Sequence, residues 1–195
     1  MRKIDTGKLV VITGPMFSGK TSRLLELLER EIRAGRKTIL FKPEIDKRYS
    51  NAHVVTHKGI ALPAIISPID SKARKFILEK SKGFDVIGVD EAQFWDPKSN
   101  LHNLLEELVF LKKLIYVSAL NKNIKNEAFE TTSKLLSSAD EIYALTSVCA
   151  KCGNDATLTQ KIRNNKEVFK KVIDVGGNDK YEPRCRNCYV QYRHK

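Results

Sequence analysis

Lys8-Leu9-Val10-Val11-Ile12-Thr13 runs directly into Gly14-Pro15-Met16-Phe17-Ser18-Gly19-Lys20-Thr21. The first six residues are mostly apolar and β-branched, which predicts a buried parallel strand. The next eight fit G-x-x-x-x-G-K-[ST]. Beyond them Leu24, Leu25, Leu27, Leu28 and Ile32 recur at helical spacing with charges between, predicting a helix over 21–34 that stops at Gly35. Strand, loop and helix in this order form a phosphate cradle. Gly14 and Gly19 let the backbone curl so that successive N–H groups point inward, and the helix adds its positive N-terminal end. Lys20 can reach the β- and γ-phosphates, and the Thr21 hydroxyl is placed to hold Mg²⁺. Residues Gly14, Pro15, Met16, Phe17, Ser18, Gly19, Lys20 and Thr21 are therefore the expected nucleotide-phosphate site.

Outward from this loop, strands are expected at 37–41, 84–89, 114–119 and 141–146. Helices are expected at 71–80, with Ser71 as a candidate cap, and at 100–112, with Leu101, Leu104, Leu105 and Leu108 on one side. Residues 43–68 carry prolines and histidines with few periodic signals, so they are expected to form a long loop with short strand fragments. Alternation of strand and helix from 8 to about 147 implies an α/β fold, a P-loop NTPase-like parallel sheet flanked by helices. After Val148 the composition turns to cysteine, glycine, asparagine and lysine, and 156–162 and 167–175 look like two strands of a β-rich lobe. The expected division is a nucleotide-binding domain over 1–147 and a small β lobe over 148–195.

Val86-Ile87-Gly88-Val89-Asp90-Glu91 is an apolar strand ending in two carboxylates. Beside a phosphate loop, Asp90 suits a magnesium partner acting through water. Glu91 could take a proton from an attacking hydroxyl. A kinase must align nucleophile and γ-phosphate, neutralise charge and remove one proton, and Lys20, Mg²⁺ and Glu91 would supply those parts.

All four cysteines lie after residue 148, as Cys149-Ala150-Lys151-Cys152 and Cys185-Arg186-Asn187-Cys188. Two C-x-x-C pairs give a closed tetrahedral sulfur set that suits structural Zn²⁺. Iron–sulfur ligation and a redox dithiol are weaker alternatives. The charge balance is 35 − 23 = +12. It attracts phosphate or simply solvates the surface, and lysines spread along the chain argue against dedicated nucleic-acid binding. No apolar run approaches the ~18 residues of a membrane span. The first apolar stretch begins only at Leu9, so a secretory signal is not expected and a cytoplasmic location is. These features allow a nucleoside kinase. They also allow a nucleic-acid-dependent P-loop ATPase with a zinc ribbon, or a non-catalytic nucleotide sensor.

The stretches GPMFSGKT (14–21), DKRYS (46–50), Thr56-His57, VDEAQF (89–94) and GGNDKY (176–181), together with both cysteine pairs, resemble the type II thymidine kinases, the zinc-containing cytosolic kind. The resemblance implies transfer of the ATP γ-phosphate to the thymidine 5′-hydroxyl, giving thymidine monophosphate. It implies Glu91 as general base, Asp90 as magnesium partner, Lys20 and Thr21 at the phosphates and metal, and Asp46 and Arg48 near the reacting phosphates. Phe94 would pack on the thymine, with Met16, Leu120 and Thr159 around it. Tyr181 and the backbone of Val175 and Gly176 would hold the nucleoside. The resemblance also implies a lid tied down by the zinc, a homotetramer, and inhibition by thymidine triphosphate (dTTP). In the lid segment 120–129 (LNKNIKNEAF) the chain departs from the family: Asn121 replaces the usual Asp, Ile124 an aromatic, and Ala128 a Pro. Ile124 can close an apolar pocket but cannot stack. His57 falls at the family's Thr-His position, whereas His53, His102 and His194 have no motif around them.

Overall fold

The computed structural model describes residues 5–46, 53–55, 61–163, 166–169 and 180–191. Strand β1 (Lys8–Thr13) sends its side chains alternately into two cores. Leu9 and Val11 enter one, and Val10 and Ile12 the other. The same alternation holds in β2 (Thr38–Pro43), where Ile39 and Phe41 oppose Leu40, and in β6 (Val86–Val89), where Ile87 and Val89 oppose Val86. A strand buried on both faces reads as an unbroken apolar run and requires helices on both sides. One face is covered by α1 (Lys20–Arg33) through Leu24, Leu25, Leu27 and Leu28. The other is covered by α2 (Ala73–Lys80), α3 (Leu101–Phe110) and α4 (Glu130–Ser138).

With β3 (His53–Val55), β4 (Ala61–Pro63), β5 (Ile65–Ser67), β7 (Leu114–Ala119) and β8 (Glu141–Ala144) named, the main sheet has the order β5-β2-β6-β7-β1-β8. Every pairing in it is parallel. Within the stretch expected as a long loop with short strand fragments, β5 extends this sheet beside β2, and β3 and β4 form an antiparallel pair whose Val54 and Leu62 pack on the α1 side. Helix α1 stops where expected, at Gly35 (φ 78), whose N–H bonds Ile32 O at 2.9 Å.

One local expectation is corrected, and one helix was not expected. Helix α2 begins at Ala73, and Asp70 rather than Ser71 closes its entry, its carboxylate accepting Lys72 N–H at 2.9 Å. Helix α4 had no counterpart in the sequence reading, because Glu130-Thr131-Thr132-Ser133-Lys134 carries the composition of a loop. Burial of Thr131, Thr132 and Leu135 against the sheet overrides that local preference.

The C-terminal lobe pairs β9 (Ser147–Val148) with β10 (Asp155–Ala156), and β11 (Leu158–Arg163) with both β12 (Lys166–Glu167) and β13 (Tyr181–Arg184). The strand expected at 156–162 is thus shared between two sheets, breaking at Thr157. Of the strand expected at 167–175, residues 170–175 lie outside the described residues. Among the described residues no helix is long and apolar enough to cross a membrane.

Candidate active site

The phosphate loop leaves the C-terminal end of β1 and enters α1. Gly14 stands at φ 148, and a Cβ there would lie 2.4 Å from Leu145 O. Gly19 stands at φ 82 directly before the helix. Both positions exclude larger residues for backbone reasons. The loop is tied across itself by Ser18 Oγ donating to Pro15 O at 2.9 Å and by Lys20 Nζ donating to the same carbonyl at 2.6 Å. Lys20 is only 8% exposed, so its ammonium is held inside the loop.

The sheet order determines what meets this loop. Strand β7 lies between β1 and β6, so the end of β6 faces the start of α1 across the end of β7. Asp90, buried at the end of β6, accepts from the Thr21 hydroxyl at 3.2 and 3.3 Å and from the Ser118 hydroxyl of β7. Its backbone N–H bonds Phe41 O at 2.9 Å. A hydroxyl and a carboxylate this close are hard oxygen donors that fit Mg²⁺. Glu91 follows in left-handed backbone (φ 57), a conformation costing a non-glycine residue roughly 1–2 kcal/mol. Its N–H meets Ser118 Oγ at 3.4 Å, and its carboxylate accepts from Gln93 Nε2. Gln93 Oε1 in turn accepts Leu120 N–H at 2.9 Å.

The residues tied to the acceptor by resemblance fall as follows. Thr159 Oγ1 accepts Met16 N–H at 3.0 Å, so the C-terminal lobe meets the phosphate loop directly. Ser147 Oγ adds a second tie to Phe17 O at 3.1 Å. Phe94 closes a 3₁₀ turn, its N–H bonding Glu91 O at 3.0 Å. Leu120 joins the same cluster through Gln93. Tyr181 is buried in β13 opposite Lys161 of β11, which places it on the same sheet face as Thr159. Asp46 is buried just after β2, with its N–H on Pro43 O. Arg48, Val175 and Gly176 lie outside the described residues, as do His57 and His194.

The lid segment is a small closed loop. Lys122 and Ala128 form an antiparallel bridge, and Asn123 Oδ1 accepts Lys125 N–H at 2.8 Å and Glu127 N–H at 3.1 Å. Ile124 is buried, and its carbonyl accepts the Tyr189 hydroxyl at 2.7 Å. Ser118, Gln93, Ser147 and Tyr189 were not singled out in the sequence. Gln93 was visible inside VDEAQF, and Tyr189 directly after Cys188, but only their contacts in the folded chain give them roles.

The four cysteine sulfurs lie within 4.8 Å of one another, and Cys152 Sγ and Cys185 Sγ are 3.6 Å apart. A tetrahedron with ~2.3 Å Zn–S bonds has edges of about 3.8 Å, whereas a disulfide requires about 2.05 Å. The set therefore fits a metal, and the four cysteines are free. Burial raises the Cys149 thiol, but N–H donors of Cys185, Lys151 and Cys152 outweigh it and bring the group down to about 6. Tight turns present the sulfurs, with Gly153 N–H on Cys149 O at 3.0 Å and Tyr189 N–H on Cys185 O at 3.0 Å.

A family profile described as thymidine kinase matches residues 7–189. A thymidine kinase of Thermococcus kodakarensis is 44% identical over 188 residues, covering 94% of each chain. One of Pyrobaculum aerophilum is 39% identical over 184 residues, covering 93% of this chain and 98% of that protein. Among solved structures, the flagellar accessory protein FlaH of Methanocaldococcus jannaschii aligns with a TM-score of 0.50 at 17% identity, over 77% of this chain and 75% of that one, a likeness of fold alone. A profile spanning both the phosphate loop and the cysteine lobe, and relatives this similar from end to end, leave one assignment: the chain belongs to the thymidine kinase family.

Proposed function

We propose that the protein transfers the γ-phosphoryl group of ATP to the 5′-hydroxyl of thymidine. The observation that carries this reading is the meeting of Thr21, Asp90 and Glu91 beside the phosphate loop. The loop amides and the Lys20 ammonium bind the triphosphate oxygens. Thr21 and Asp90 would hold Mg²⁺, which would supply neutralisation of phosphate charge. Glu91 accepts the 5′-hydroxyl proton as that oxygen bonds to the γ-phosphorus. The bond from the γ-phosphorus to the β–γ bridging oxygen breaks, and ADP leaves with the electron pair. The family resemblance assigns Asp46 and Arg48 to the reacting phosphates. By the same resemblance Phe94, Met16, Leu120 and Thr159 would surround the thymine, and Tyr181, Val175 and Gly176 would hold the nucleoside.

Cys149, Cys152, Cys185 and Cys188 would hold a structural Zn²⁺, which would tie the lobe together rather than take part in the chemistry. The division is a nucleotide-binding domain over 1–147 and a zinc lobe over 148–195, a boundary that falls within β9, with the contacts Met16–Thr159 and Ile124–Tyr189 across it. A homotetramer is implied by the family resemblance, and the adjacent exposed side chains Phe110 and Leu111 would suit a subunit contact. A cytoplasmic location is supported by four unpaired cysteines. dTTP joins the accepted base to a triphosphate tail, which suits it to inhibit by occupying the acceptor pocket and the phosphate loop together.

The test is label transfer from γ-labelled ATP across a panel of nucleosides. Label should appear on thymidine, and Glu91→Gln should lower turnover about 10²–10⁴-fold with ATP still bound. ATP hydrolysis stimulated by DNA, with no nucleoside labelled, would overturn the reading.

A further inference from the structure

Gln93 sits in the 3₁₀ turn Ala92–Phe94 and is 4% exposed. Its side-chain amide is engaged at both ends: Nε2 donates to Glu91 Oε2, and Oε1 accepts Leu120 N–H at 2.9 Å. These partners fix the orientation of the amide, because an ionised carboxylate only accepts and a backbone N–H only donates. Glu91 stands in left-handed backbone at the end of a strand. Side chains choose among staggered rotamers, and the bond from Gln93 ties the Glu91 carboxylate to the turn in one of them. Leu120 is the first residue after β7 and the root of the lid segment.

We propose that Gln93 is a positioning residue for phosphoryl transfer, holding the Glu91 carboxylate in one rotamer and linking it to the lid through Leu120. The inference rests on the reading of Glu91 as the base. A nucleoside that seats residues 120–129 thereby seats the base as well, so proton removal is coupled to acceptor binding.

Two variants separate the two ends of the amide. Gln93→Met keeps the length and burial of the side chain and removes both hydrogen bonds. Gln93→Glu keeps an acceptor for Leu120 N–H and removes the donor to Glu91. Both should lower kcat about 10–100-fold, the effect of a misplaced catalytic group, with the KM for MgATP unchanged. The KM for thymidine should rise in Gln93→Met only. Thermal melting and ATP calorimetry establish that each variant folds. Should Gln93→Glu fail to bind ATP, Gln93→Met carries the comparison.

The decisive arm is the double variant. In a Glu91→Gln background, the Gln93 substitution should not lower the residual turnover further, because it acts through a group already disabled. A purely structural role would give the same loss in both backgrounds. A folded Gln93 variant with wild-type kcat, or an undiminished loss in the Glu91→Gln background, overturns the inference alone. Near-normal turnover in Glu91→Gln itself would overturn the reading of the base as well.

Discussion

Lys20 and Pro15 show how much of a phosphate site one side chain can carry. The Lys20 ammonium is buried, and the Pro15 carbonyl holds it at 2.6 Å. A bound triphosphate offers several anionic oxygens to the same ammonium, and charge-assisted hydrogen bonds are about twice as strong as neutral ones. Lys20→Ala should therefore weaken ATP binding by about 10–100-fold, the equivalent of losing roughly 1.5–3 kcal/mol. Isothermal calorimetry reads this directly, and unchanged affinity would contradict the phosphate-loop assignment. Asp90 is fixed in the opposite way, by three separate elements. It receives Thr21 from α1 and Ser118 from β7, and its own N–H is held by Phe41 of β2. A carboxylate so anchored can bind a cation with little reorganisation, which is the form electrostatic preorganisation takes at a phosphoryl-transfer site.

Helix packing turns on two glycines with different neighbours. At Gly88 of β6 an added Cβ would lie 2.7 Å from Leu28 Cδ1 and 2.8 Å from Leu40 Cδ1, both ends of flexible side chains. At Gly7 it would lie 1.9 Å from Val109 O, a backbone atom near the end of α3. Overpacking costs about 1–3 kcal/mol. Gly88→Ala belongs at the low end, because two leucines can turn away, and Gly7→Ala at the high end, because a helix must move. At about 2–4 °C per kcal/mol for a chain of this size, calorimetric melting should rank Gly7→Ala clearly below Gly88→Ala; the reverse order would contradict the packing described. Elements were legible from sequence wherever burial was two-sided. β1, β6 and β7 are apolar runs because both faces are covered, and α1 is amphipathic because one face is not. β5 was obscure because three residues carry no period, and α4 because its buried face includes two threonines. In the site, Lys20, Thr21, Asp90 and Glu91 were legible because they adjoin one strand end or one glycine loop. Ser118 and Gln93 were not: Ser118 meets Asp90 across 28 residues and Gln93 meets Leu120 across 27, pairings that only the sheet order makes, and the local bond from Gln93 to Glu91 depends on the turn between them.

At the scale of the molecule, the cysteine lobe reaches the chemistry by two routes. Thr159 of β11 holds the phosphate loop at Met16 N–H, and Tyr189, directly after Cys188, holds the lid at the Ile124 carbonyl. The metal set is assembled from residues 149–152 and 185–188, so it closes the ends of the lobe onto each other. Among the described residues the lobe's own core cluster is small, built around Cys149, Ala156 and Cys185, and a metal held by the four sulfurs would add its binding free energy to the folding of the lobe. The nucleotide-binding part has two full cores of its own on the two faces of its sheet. Removing metal with a chelator should therefore open the chain to protease after residue 148 and leave the preceding residues protected, as mass spectrometry of the fragments would show. Loss of the Tyr189 anchor should also raise the KM for thymidine more than that for ATP. Tyr189→Phe, which removes one buried hydrogen bond of about 1 kcal/mol, should reproduce roughly a five-fold part of that rise in the metal-loaded protein. Protection after residue 148 that persists without metal would mean that the sulfurs do not hold the lobe together. A thymidine KM unmoved in Tyr189→Phe would mean that the lid is secured by the rest of its packing.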